Sequence, residues 1–156
     1  MDALLAALAA SDPATALRFS RWGYAAVNTG HVLGIALLVG AIAPLDLRLL
    51  GAWRSVPLDA VARVAIPVAA AGLALAITSG ALLFATRAPE YAAMPVVWAK
   101  LALVATGATA ALATHLRAGR ALHHLSRRAR LRQGALSLTC WLGALVAGRM
   151  IAFLAG

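Results

Sequence analysis

The chain has 156 residues, is 63% hydrophobic and only 12% charged, and has a mean hydropathy of +0.86. A soluble domain of this size is nearer half apolar and a quarter charged, so one small core cannot hide this surplus and the solvent has to be lipid. A single cysteine, Cys140, excludes an intramolecular disulfide framework and any CxxC metal motif, and the net charge of +9 raises the question of where the arginines lie.

Residues 1–22 do not read as a signal peptide: Asp2 stands where a cationic n-region would be, and the apolar run is short. "SDP" reads as a helix start, with Ser11 or Asp12 as cap and Pro13 in the first turn. This segment is expected to form one or two short interfacial helices, over Met1 to Ser20, on the membrane surface. Residues 23–156 are expected to form an all-α integral membrane bundle of four helices. The apolar segments run from about Tyr24 to Leu45, Val64 to Thr86, Pro95 to His115 and Gly134 to Leu154. Each has roughly the 20 residues needed to cross a hydrocarbon core. Trp22 and Tyr24 precede the first, and Tyr91 and Trp98 bracket the start of the third, as interfacial aromatics do.

The arginines set the orientation. "RAGRALHHLSRRARLRQ", between the third and fourth spans, carries six arginines and no acid, and the connection between the first two adds Arg48, Arg54 and Arg63. The connection between the second and third has Arg87 opposed by Glu90, while Arg18 and Arg21 before the first span dissent. The positive-inside rule makes the arginine-rich face cytoplasmic and puts both termini outside. The basic balance is then a topology signal, with anionic lipid heads as partners at the loop and no motif for nucleic acid. Asp46 and Arg48, in "PLDLRLLG", are expected to cap the inner end of the first span and pair with the basic loops.

Small residues four apart recur at Gly30 and Gly34, at Gly72, Ala76 and Gly80, and at Ala144 and Gly148. Such faces let helix backbones approach closely, within the chain, in a homo-oligomer or against a membrane partner. Short connections make sequential helices antiparallel neighbours in a compact bundle. Cys140 and Trp141 read as packing residues.

Four spans running up and down bring Asn28 and His31, Thr78 and Ser79, Lys100, and Arg149 to one depth near the outer surface. Ionisable groups inside spanning helices are costly and mark a site. Lys100 can either snorkel or line this layer, whereas Arg149, following Gly148, is expected to point inward. His31 can also act as plain interhelical glue through Thr78 or Asn28. Three chemistries suit the layer. Imidazole with the thioethers of Met94 and Met150 suits Cu(I), although Lys100 and Arg149 repel a cation. A haem with His31 as axial ligand would pair its propionates with the two cations. His115, His123 and His124 lie too far towards the inner side to be its second ligand. A quinone or small anion held by His31 and the cations is the third. The layer offers no base-and-orienter set for a hydrolase, so catalysis is not expected.

"HVLGIALLVGAIAPLDLRLLG", "SGALLFATRAPEYAAMPVVWAKLALV" and "GALSLTCWLGALVAGRMIAF" resemble an uncharacterised family of small bacterial four-helix inner-membrane proteins, over most of the chain from Tyr24 onward. That family is similar, more distantly, to CopD-type copper-resistance membrane domains and to cytochrome b561-like bundles. The resemblance implies copper handling or electron transfer facing the periplasm, with His31, Lys100 and Arg149 at the polar motif positions. The expected function is binding or passage of copper or a haem-like cofactor at His31. The competing expectation is a non-catalytic accessory subunit that packs against a larger membrane complex through its glycine faces.

Overall fold

The computed structural model describes residues 1–118, 122 and 125–154, with the side chains of Arg117 and Ala118 left out. The centre of the basic loop, with Arg120, His123 and His124, lies outside the described residues, as do the last two positions. The described residues form seven helices and no strand: α1 (Asp2–Ala9), α2 (Asp12–Phe19), α3 (Arg21–Leu50), α4 (Leu58–Thr86), α5 (Ala88–Ala92), α6 (Pro95–Ala118) and α7 (Arg127–Leu154). Four of them, α3, α4, α6 and α7, are long and apolar enough to cross a membrane, with mean hydropathies of 2.0, 2.1, 1.7 and 1.6. Their outward faces carry exposed apolar side chains such as Val32, Val64 and Leu112. That is the pattern for lipid as solvent.

The helices outrun the apolar segments, mostly at the loop end, because backbone hydrogen bonding continues past the last apolar residue. α3 stops at Gly51, whose φ of 109° is open to glycine at low cost and lets Ala52 N bond back to the Leu47 carbonyl at 2.9 Å. The N-terminal segment does form two short helices, but they are not independent of the bundle. α2 packs on α4 and α3, α1 touches α5 and α4, and Ala14 and Leu17 are buried. Ser11 does not cap α2; its hydroxyl donates backwards to the Leu8 carbonyl at 2.7 Å.

The spans pair unequally. α3 packs most extensively on α4, α6 on α7, and α3 on α7, whereas α4 and α6 share no extensive interface among the described residues. The expectation that every sequential pair packs is therefore corrected at this corner, where the short helix α5 is interposed in the connection. Two apolar clusters fill the interior: Leu45, Leu49, Leu58, Ala62, Ala65 and Leu122 towards the loop end, and Leu38, Ala69 and Trp141 near mid-depth. Trp141 and Cys140 pack against Gly107, where a Cβ would come within 3.2 Å of both.

Candidate functional site

The layer around His31 is built by glycine. A Cβ on Gly34 would lie 2.7 Å from the Ala76 backbone nitrogen, and one on Gly72 would lie 2.6 Å from that of Leu38. Only glycine lets α3 and α4 come this close. One turn towards the termini the same seam holds the His31 ring over Gly80, whose Cβ would stand 2.9 Å from Cε1. His31 Nδ1 is 3.1 Å from Ser79 Oγ, and Ser79 is buried. The Ser79 hydroxyl gives its single proton to the Leu75 carbonyl of its own helix, so Oγ accepts from His31. That assigns the ring proton to Nδ1 and, in the neutral imidazole, the lone pair to Nε2.

Lys100 approaches from the other pair of helices. Its side chain lies across α7 at Gly148, with Nζ 3.4 Å from where a glycine Cβ would be, and it is within electrostatic reach of His31. It does not snorkel freely, being only half-exposed. The ion pair among the described residues joins Arg87 to Glu90 at 3.4 Å, on the surface, and no carboxylate there pairs with Lys100.

The structure thus pairs His31 with Ser79, keeps Lys100 within electrostatic range of the ring, and leaves the other expected members outside. Arg149 is exposed, a correction of the inward expectation. Gly148 serves Lys100, and the next residue, turned by about 100°, falls on the outer face with Leu145. Thr78 is exposed and spends its hydroxyl on the Ala74 and Leu75 carbonyls of α4. Asn28 is offset about 60° from His31 around α3 and is also exposed. Met150 is 43% exposed and Met94 half-buried, and no group of three His, Cys, Asp or Glu side chains among the described residues is placed to hold a metal. Towards the termini Tyr91 of α5 stacks on Phe84 with centroids 6.2 Å apart and lies beside the Tyr24 phenol. Burial, and then the neighbouring Tyr24 phenol, push the Tyr91 hydroxyl above its ordinary range.

A second polar cluster lies at the loop end, and reading the sequence missed it. Asp46 is not a surface cap paired with arginines. It is 2% exposed, faces the buried Ser137 hydroxyl of α7, and its Oδ2 has no hydrogen-bond partner among the described residues. Arg48 turns instead to the α3–α4 loop, donating to the Val56 carbonyl at 2.7 Å and the Arg54 carbonyl at 3.3 Å. α7 reaches Asp46 because position 134 is glycine: a Cβ there would be 2.9 Å from the Asp46 carbonyl oxygen. Thr114 and Gln133 hydrogen-bond each other at 2.9 Å, and with Asp46, Ser137 and His115 they line a cavity of about 30 Å³. The available signal was the four-residue series Gly30, Gly34, Leu38, Ile42, Asp46, which sets the acid on the packed stripe of α3.

Comparison with protein-family models, with curated proteins and with solved structures gives no match to this chain.

Proposed function

We propose that the chain is a membrane protein whose outward-facing polar layer binds a small molecule through oxygen acceptors, a quinone headgroup or a small anion, at His31 and Lys100. The observation that carries this reading is Lys100, which lies across Gly148 within electrostatic reach of His31 and pairs with no carboxylate among the described residues. An ammonium held inside a spanning bundle without an acid favours a ligand that brings negative charge or a carbonyl oxygen. His31 Nε2, with its lone pair, accepts from a quinol hydroxyl or an acid proton, while Lys100 donates.

The anchored ring supports a second reading. A histidine whose Nδ1–H is held by a neighbouring group presents Nε2 as a metal ligand. Copper would have to recruit the thioethers of Met94 and Met150, which stand outside the His31–Ser79 pair, and a haem would use Lys100 as a propionate partner. The close α3–α4 seam leaves a macrocycle no room between those two helices, so it would have to enter from the α6 side.

An absorption spectrum with metal analysis on gently purified protein, followed by titration with a short-chain benzoquinone or with phosphate, separates the readings. The expected result is a colourless, metal-free sample whose tryptophan fluorescence responds saturably. The response is lost in Lys100→Met and kept in Arg149→Met. A Soret band or stoichiometric copper that disappears in His31→Ala establishes the metal reading instead.

A further inference from the structure

The Asp46 cluster is separate from the His31–Lys100 layer: fifteen residues of α3 divide them, about 22 Å along the axis. A carboxylate inside a spanning helix is retained where it has a partner or a task. Asp46 shares its cavity with the Ser137 hydroxyl and has an Oδ2 with no partner among the described residues. Around the same cavity stand the oxygen-bearing side chains of Thr114 from α6 and Gln133 and Ser137 from α7. His115 also lines it and has an interaction of its own.

We infer that this cavity is a binding site for one monovalent cation of sodium's size, with Asp46 Oδ2 as the charged ligand and the side-chain oxygens of Ser137, Gln133 and Thr114 beside it. An all-oxygen donor set suits a hard cation. One carboxylate matches one positive charge, so the filled site is neutral in a medium where a surplus charge is costly. A divalent ion would remain uncompensated here and calls for further carboxylates or retained waters. The cavity volume of about 30 Å³ is roughly two to three times that of one water-sized sphere, which leaves room for one small ion with a water beside it. Arg48, the cation nearest to Asp46 in sequence, is committed to loop carbonyls and does not take the place of the ion.

The test uses the full chain in detergent, with NaCl, KCl or choline chloride at constant ionic strength and the unfolding midpoint followed by tryptophan fluorescence. Sodium alone raises the midpoint, saturably, as a ligand of the native state does. Asp46→Asn abolishes the rise, and Ser137→Ala moves the half-effective sodium concentration up by about tenfold. Equal midpoints in the three salts overturn the inference, as does a sodium response that persists in Asp46→Asn. If Asp46→Asn fails to fold, an unchanged half-effective concentration in Ser137→Ala overturns it and a tenfold shift sustains it. A midpoint that follows pH and ignores sodium identifies a protonated carboxyl beside a water, and also overturns it.

Discussion

His31 owes its orientation to a neighbour that spends its own proton elsewhere. Ser79 donates within α4, which leaves its oxygen only the role of acceptor towards Nδ1. Ser79→Ala therefore removes one acceptor and leaves the ring N–H only the Ala76 carbonyl of α4 as a partner. Interhelical hydrogen bonds in membranes contribute about 0.6 kcal/mol on average and up to about 1.7 kcal/mol, so the expected loss of stability lies in that range. Equilibrium unfolding in mixed micelles measures it. The same variant frees the ring to rotate over Gly80, so affinity at His31 falls by about 10- to 100-fold, as when an outer-shell partner is removed. If stability falls while affinity does not, Ser79 serves packing alone. At this scale the sequence was half legible. His31 and Lys100 stand out as ionisable residues in apolar runs. That Ser79, rather than Thr78, faces the ring depends on a 100° rotation between adjacent residues and on the α3–α4 register, which composition does not report.

Between elements, the glycines decide which helices can touch. Repeats of small residues announce close seams but do not name the partner. Gly34 and Gly72 turn out to face each other, at distances where a methyl group meets backbone rather than a movable side chain. Gly34→Ala thus requires α3 and α4 to separate, and overpacking of this kind costs about 1–3 kcal/mol. Gly30→Ala meets only the Leu75 Cδ1 atom at 4.0 Å, and its stability stays within about 0.5 kcal/mol of the parent. The pair of variants, compared by unfolding in the same detergent, also bears on the accessory-subunit idea. The Gly34 face is occupied from within the chain, so enlarging it disturbs the fold before it disturbs any partner. Asp46 belongs to this scale as well. Judged by its distance from the end of the apolar run it looked like a surface cap; judged by the four-residue stripe it belongs to the interior. The stripe governed, because Gly134 lets α7 close over it. The missing α4–α6 interface was less accessible, since nothing in "TRAPEYAAM" says that five of its residues form a helix that interrupts a simple turn.

At the level of the whole molecule, an even number of spans puts the start of α3 and the end of α7 at one face, together with His31 and Lys100. The opposite face holds the α3–α4 and α6–α7 connections and Asp46. In the sequence, nine of the fourteen Lys and Arg residues fall in the stretches that include those two connections, from Arg48 through Arg63 and from Arg117 through Arg132. Arginine is retained on the cytoplasmic side during insertion, and the count over short connections sets orientation. The same arginines would meet anionic lipid heads there, each adding about 1 kcal/mol of attraction near the surface. A fluorescent protein that matures only in the cytoplasm, fused after the last residue, is therefore expected to stay dark, whereas alkaline phosphatase at the same place is active. Placed within the α3–α4 loop between Ala52 and Val56, the two reporters exchange behaviour. The reversed pattern would turn the molecule over, presenting the His31–Lys100 layer to the cytoplasm and Asp46 to the outside. It would leave both clusters intact as sites and change which compartment supplies each ligand. The compartment matters most for Asp46, because a sodium-sized ion reaching it from a cytoplasmic face has to pass the arginine-rich loops, whose repulsion slows entry at low salt and is screened beyond about 8 Å at physiological ionic strength.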